Sequence, residues 1–218
     1  MKPIVNLPPK EPEYLRNFLS FCHRRRYQNK TDIIHPGDQA DVLYYLIEGS
    51  VAILIEDEDG REIILTYLNK GEFIGEMGLF IPQARRSVLV RTRSECQLAE
   101  ISYRRLEQLF EAELKPYTQD ILYAMGAQLT QRLLHTSRKV GHLAFLDVTG
   151  RIAGTLLDLC KQPDAMTHPD GMQIRVTRQE LGRIAGCSRE MVGRVLKDLE
   201  EKRLIWVHGK TIVVYGTR

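Results

Sequence analysis

The sequence predicts an α+β protein. Antiparallel β-structure, closed as a roll or a barrel, fills the first hundred residues. A long helix follows, and then two short helices and a hairpin. Three observations carry this reading. Short runs rich in Val, Ile, Leu and Tyr recur between turn signals as far as Ile101. One apolar stripe then runs at helical spacing from Leu122 to Leu143. Finally, Thr177 to Leu199 holds two helical patterns split at Gly186.

Composition narrows the possibilities. The 218 residues are 43% hydrophobic and 27% charged, enough to build a core in one or two domains. No apolar run reaches the ~18–20 residues of a membrane helix, which excludes an integral membrane protein. The opening MKPIVNLPPKEPEYL has no apolar signal core. Cys22, Cys96, Cys160 and Cys187 are too scattered for a zinc pattern or a disulfide framework, so a reducing cytoplasmic location is expected.

The strands can be placed in order. Ala40 to Asp59 reads as two strands about a Glu48-Gly49-Ser50 turn, and Asp57-Glu58-Asp59-Gly60 is a second turn. Glu62 to Leu68, Val88 to Arg93 and Cys96 to Ile101 supply three more strands, and glycines punctuate GEFIGEMGLF between them. Leu106, Leu109 and Phe110 suit a short helix, Pro116 breaks it, and Asp120 can open the long one.

In the long helix, Leu122, Met125, Leu129, Leu133, Thr136, Val140 and Leu143 average near 3.5 residues per step. Such a stripe packs either on its own domain or against a second copy. The polar Thr136-Ser137 pair inside it favours the second copy, because hydroxyls there want a partner or a ligand. Asp147 to Gly150 reads as a hinge, Arg151 to Cys160 as a helix, Lys161 to Gly171 as a loop, and Ile205 to Val214 as a hairpin around His208-Gly209-Lys210.

Charge separates the two halves. Residues 147–218 carry 12 Lys+Arg against 9 Asp+Glu, while the preceding 146 residues hold 19 of each. Within 172–218 the balance is 10 against 5, so the basic tail is suited to a polyanion.

The tail also has the right local grammar. Thr177-x-x-Glu180 is a capping box, Gly186 can make a tight left-handed turn, and Ser188 can cap the next helix. Val192, Val195, Leu196 and Leu199 of that helix face a core, which leaves Arg189, Glu190 and Arg194 projecting together. Arginine can bond guanine through two donors, and glutamate can accept from cytosine, so these three are the candidate base readers in double-stranded DNA. Thr177, Arg178, Gln179 and Ser188 are candidate phosphate contacts, with His208 and Lys210 on a wing.

A second constellation suits a small ribose phosphate. Gly75 lets backbone approach an anion, Glu76 can accept from a ribose hydroxyl, and Arg86 with Ser87 can hold a phosphate. On the long helix Arg132 and Thr136 share a face beside Ser137, and these hydroxyls can meet a base edge from each subunit of a dimer.

These segments, above all LYYLIEGSVAILIEDEDGREIILTYLN, GEFIGEMGLF, LAFLDVTGRIA and TRQELGRIAGCSREMVGRVLK, resemble the cyclic-AMP receptor proteins of the Crp/Fnr superfamily from about Phe21 to Arg218. The resemblance implies an N-terminal β-roll of the cyclic-nucleotide-binding fold and a dimerisation helix over about 119–146, together forming residues 1–146. It implies a winged helix-turn-helix over 147–218. It further implies a homodimeric, DNA-binding regulator rather than an enzyme, gated by cyclic AMP. Ligand contacts fall at Gly75, Glu76, Arg86, Ser87, Arg132, Thr136 and Ser137. RNA polymerase would be met by Thr167, His168, Pro169 and Asp170, by a basic patch of His23, Arg25 and Arg105, and by an acidic patch at Asp57 and Glu58.

Some positions depart from the family pattern. EAELKPYTQ at 111–119 is longer than usual, which alters the approach to the long helix, and Met191 replaces a threonine found in some members. The middle of the chain is also similar to a Clp-type branch that responds to cyclic-di-GMP and is released from DNA by it. That branch carries an acid where this chain has Ser87, so Arg86-Ser87 and Thr136-Ser137 favour cyclic AMP. An iron–sulfur sensor would need clustered N-terminal cysteines. Cys22-His23 reads as a buried thiol beside a surface histidine rather than as a metal or haem ligand pair. No Walker loop, His/Asp metal cluster or activated nucleophile suggests catalysis.

Overall fold

The computed structural model describes residues 11–81 and 85–217, and the first ten residues of the opening segment lie outside that range. The chain forms two compact units whose segments alternate in sequence. One comprises the residues up to Val51, Asn69–Ser87 and Thr92–Gln131; the other comprises Ala52–Leu68, Val88–Arg91 and Arg132–Arg218.

In the first unit, β1 (His23–Tyr27), β8 (Cys96–Ser102), β3 (Val42–Glu48) and β6 (Phe73–Ile74) form an antiparallel sheet in that order. Strand β2 (Asp32–Ile34) and helix α2 (Met77–Phe80) belong to the same unit. Alternation along β3 turns Leu43 and Tyr45 inward, where Phe18 of α1 (Glu13–Ser20) meets Tyr45 and Phe73 edge-on at 6.4 and 5.6 Å between centroids. Leu106 and Leu109 of α3 (Tyr103–Glu111) and Ile121 and Met125 of α4 (Thr118–Phe145) complete this core.

The segment at 111–119, before and into the long helix, is a compact step. Leu114 is fully buried, Lys115–Tyr117 makes one 3₁₀ turn, and the Thr118 hydroxyl donates to the carbonyls of Leu114 (3.1 Å) and Phe110 (3.3 Å). The helix therefore opens two residues ahead of Asp120, because Pro116 sits in the 3₁₀ turn, where its missing N–H costs nothing.

In the second unit, β7 (Leu89–Thr92), β4 (Ser50–Glu56) and β5 (Glu62–Asn69) lie side by side. Downstream, α5 (Val148–Leu159) starts at Asp147, whose side chain accepts from the Gly150 N–H at 2.7 Å; the expected hinge residue is a helix cap. Helices α6 (Arg178–Ala185) and α7 (Arg189–Glu201) follow, with the sheet β11 (Ile205–His208), β12 (Thr211–Tyr215), β10 (Gly171–Arg175), β9 (Met166–His168). Ile152, Leu156, Leu181, Val192, Leu196, Ile205 and Ile212 share the core. The expected loop at 161–171 thus contains β9. It is an edge strand held by pairing with β10, which short exposed residues do not announce.

Candidate functional site

The glycine-rich segment and Arg86 come together. Gly75 has φ +86°, a conformation that favours glycine, and a Cβ there would lie 2.4 Å from an Arg86 terminal nitrogen, so any larger residue would displace the guanidinium from its place. Arg86 donates to the carbonyls of Gly75 (3.2 Å) and Val42 (2.5 Å), and its guanidinium lies 6.0 Å from the Tyr103 ring centroid. The Tyr103 hydroxyl donates to the same Gly75 carbonyl. Next in sequence, Glu76 is 3% exposed. A cation in a fixed fork, bare backbone and a buried carboxylate can receive a phosphate and its sugar. Ser87 is exposed beside them in sequence.

Gln128 of α4 was not foreseen. Its side-chain amide donates to the Gly71 carbonyl at 3.0 Å and accepts from the Phe73 N–H at 2.9 Å. Nothing in the local pattern marks a helix glutamine for that task. Further along α4, Arg132 is half-buried, and Thr136 and Ser137 are exposed on successive positions one turn on.

The helix pair has the expected caps. Thr177 accepts from the Glu180 N–H (3.1 Å) and Ser188 from the Met191 N–H (3.2 Å). Gly186 ends α6 at φ +66°, ψ +50°. Gly182 was not foreseen: a Cβ there would lie 2.6 Å from the Cys187 carbonyl, so the tight turn needs it. Arg189, Glu190 and Arg194 are exposed opposite the buried Val192, Val195, Leu196 and Leu199. The Glu190 carboxyl is held below the usual range by its own backbone N–H and by the Ser188 hydroxyl, so it stays an acceptor. Arg178 and Gln179 are exposed in the first turn of α6. At the β11–β12 turn, His208 stacks on Trp206 at 5.7 Å between centroids, and Lys210 is exposed.

The comparisons decide the family. Residues 24–113 match the cyclic nucleotide-binding domain, and residues 174–205 match the bacterial regulatory proteins of the crp family. The chain is 58% identical to the cAMP-activated global transcriptional regulator CRP of Escherichia coli, over 99% of this chain and 100% of that one. It is 59% identical to the cAMP-activated global transcriptional regulator Vfr of Pseudomonas aeruginosa, over 94% and 95%. The chain belongs to the Crp/Fnr family. Among solved structures it is similar to the c-di-GMP-responsive global regulator CLP of Xanthomonas campestris, with TM-score 0.89 and 57% identity over 94% of this chain and 99% of that one.

As a Crp/Fnr member the protein is a transcriptional regulator and not an enzyme, with an α+β fold of antiparallel sheets, a long helix and a helix-turn-helix. No helix among the described residues is long and apolar enough to cross a membrane.

The remaining sequence-based candidates spread over other surfaces. Thr167 and His168 lie in β9 and Pro169 and Asp170 in its turn, where the Asp170 N–H donates to the His168 ring at 3.3 Å. His23 and Arg25 are exposed on the edge strand β1, which the run HRRRY conceals because it lacks apolar alternation, and Arg105 is exposed in α3. Asp57 and Glu58 are exposed between β4 and β5, and Asp57 accepts from Arg61 through backbone (2.9 Å) and guanidinium (2.8 Å). Neighbouring His23, the Cys22 thiol donates to the Phe18 carbonyl at 3.3 Å, and burial pushes its pKa up to about 12, which makes it a poor metal ligand at neutral pH.

Proposed function

We propose that the protein is a homodimeric transcription factor whose sequence-specific DNA binding is switched on by cyclic AMP. The observation that carries this reading is the Gly75–Arg86 junction, where a guanidinium lies against bare backbone beside the buried Glu76. Arg86 and Ser87 hold the cyclic phosphate, and Glu76 takes a ribose hydroxyl. Arg132, Thr136 and Ser137 close on the nucleotide, with hydroxyls drawn from both protomers.

Dimerisation runs through α4. Leu122, Leu133, Val140 and Leu143 of the predicted stripe are exposed in the single chain, as are Tyr123 and Phe145 at 79% and 88%. A helix face that apolar is covered in a stable regulator. Ligand favours the dimer state that sets two α7 helices about one DNA turn (~34 Å) apart. Arg189, Glu190 and Arg194 read bases, while Thr177, Arg178, Gln179, Ser188, His208 and Lys210 meet the backbone. RNA polymerase is contacted through residues 167–170 and through His23, Arg25 and Arg105, with Asp57 and Glu58 as an acidic third patch. The regulator works in the bacterial cytoplasm, with the chromosome.

A second reading, release from DNA by cyclic-di-GMP, is favoured by the likeness to CLP at TM-score 0.89. Calorimetry with both nucleotides, paired with a DNA-binding titration, separates them. The proposal expects cyclic AMP to bind and to raise DNA affinity. Binding of cyclic-di-GMP alone, with loss of DNA affinity, overturns it.

A further inference from the structure

The second unit contains a cavity of about 420 Å³ whose lining includes none of the residues assigned above to nucleotide, DNA or RNA polymerase. Strand β5 forms one wall, α4 and α5 two more, and Ile184 and Ala185 of α6 close it. Ligand pockets of this size are ordinary for small metabolites. Its chemistry is divided. Ile64, Tyr67, Leu159 and Ile184 make an apolar side. Facing it, α4 presents His135, Arg138, Lys139 and His142 at spacings of 3, 4 and 7 residues, one helical stripe. A stripe at that spacing beside a protein wall is ordinarily apolar; here it is two cations and two imidazoles against a hollow.

Arg151 of α5 and Lys161 just beyond its end add two more positive charges to the lining. The single carboxylate of the lining, Asp158, pairs with Lys161 at 3.1 Å. Arg138 and Lys139 thus face the cavity with no acid of their own in its wall. The Lys139 ammonium donates to the Ile64 carbonyl, and burial pushes its pKa down to about 8. An anion in the cavity would restore the stabilisation that this group loses to burial.

We propose that this cavity is a second effector site, taking a small phosphate monoester whose carbon body lies on the Ile64–Tyr67 side and whose phosphate meets Arg138 and Lys139. A dianion suits a wall of several cations and imidazoles better than a lone carboxylate does. Because α6 is the first helix of the helix-turn-helix, occupancy tethers β5 and α4 to the DNA-reading element. This effect is independent of which nucleotide occupies the Gly75–Arg86 site.

Pyridoxal 5′-phosphate is the probe. Its aldehyde condenses with an unprotonated ε-amine, water leaves, and borohydride delivers hydride to fix the imine as a secondary amine that peptide mapping locates. In the full-length protein at pH 8, Lys139 should be labelled first, ahead of exposed lysines such as Lys197. Pyridoxal lacking the phosphate should label it about tenfold less, and Arg138→Gln should cut labelling by a similar factor, as expected for one charge-assisted contact. Excess glucose 6-phosphate should protect Lys139 and raise the melting temperature of the wild type but not of Arg138→Gln, whereas cyclic AMP should not protect. Labelling of Lys139 no faster than Lys197, equal labelling by pyridoxal, or no protection by glucose 6-phosphate overturns the site. Each of these results leaves the cyclic-AMP reading standing.

Discussion

The Tyr67 phenol donates to the Glu180 carboxylate at 2.5 Å, joining β5 to the first turn of α6 across 113 residues of sequence. Beside it, Arg183 of the same helix pairs with Glu62 of β5 at 2.9 Å, and Glu62 also receives Arg91 of β7 at 2.8 Å. Helix α6 is thus held on strand β5 by two polar contacts one helical turn apart. Glu180 is the acid of the predicted capping box, and here its carboxylate serves a long-range contact.

A double-mutant cycle tests that contact. Tyr67→Phe and Glu180→Gln should each cost ~1–3 kcal/mol in urea unfolding, the range for a hydrogen bond to a charged group. The double variant should cost clearly less than the sum. Additive losses would mean that the phenol and the carboxylate do not interact in solution.

At the glycine-rich segment, Gly75→Ala should act like Arg86→Leu. The new Cβ meets the guanidinium at 2.4 Å and strains a φ of +86°. Both variants should lose ~10–100-fold in cyclic-AMP affinity by calorimetry while far-UV circular dichroism stays unchanged, matching the loss of one charge-assisted contact. Wild-type affinity in Arg86→Leu would remove Arg86 from its role.

Gly182→Ala probes the turn of the DNA-reading pair. Its Cβ would lie 2.6 Å from the Cys187 carbonyl, so α6 and the turn must part. We expect a stability loss of ~1–3 kcal/mol, typical of overpacking, and weaker DNA binding on every sequence tested. Gly193→Ala is the control, since its nearest neighbour beyond the helix lies 3.9 Å away.

Arg189→Ala should instead change specificity. A base reader loses ~1–3 kcal/mol of discrimination at one base pair, whereas a phosphate contact weakens binding uniformly and lowers the salt slope by about one. Selection of binding sites from a random library distinguishes the two outcomes.

Lys139 predicts a pH dependence. Its folded pKa of about 8 lies below the ordinary 10.5, so between those values the unfolded chain binds more protons and stability rises with pH. Below pH 8 both states are protonated and the cost of burying the charge is fully present. Relative to Lys139→Met, the wild type should therefore gain stability between pH 7.5 and 10.5, by at most about 3 kcal/mol. A constant difference across that range would show an ordinary lysine.

What was legible in the sequence was local. The caps at Thr177 and Ser188, the turn at Gly186 and the strands around Gly49 each depend on residues a few positions apart, and they stand where the pattern put them. Strand β1 escaped notice because exposed arginines occupy both of its faces, and β9 because pairing with β10 rather than composition makes it a strand. Tyr67–Glu180, Gly182 and Gln128 were invisible for a common reason. Each answers to an atom supplied by a distant segment or by a backbone path that only the fold defines.

The Gln128 amide has one further implication. A primary amide carries the same donor and acceptor pair as a peptide group, so the helix grips the glycine-rich segment much as a neighbouring strand would. A backbone shift at Gly71 and Phe73 would therefore be felt by α4 through one side chain holding both ends of the amide. Four residues further along the same helix stands Arg132.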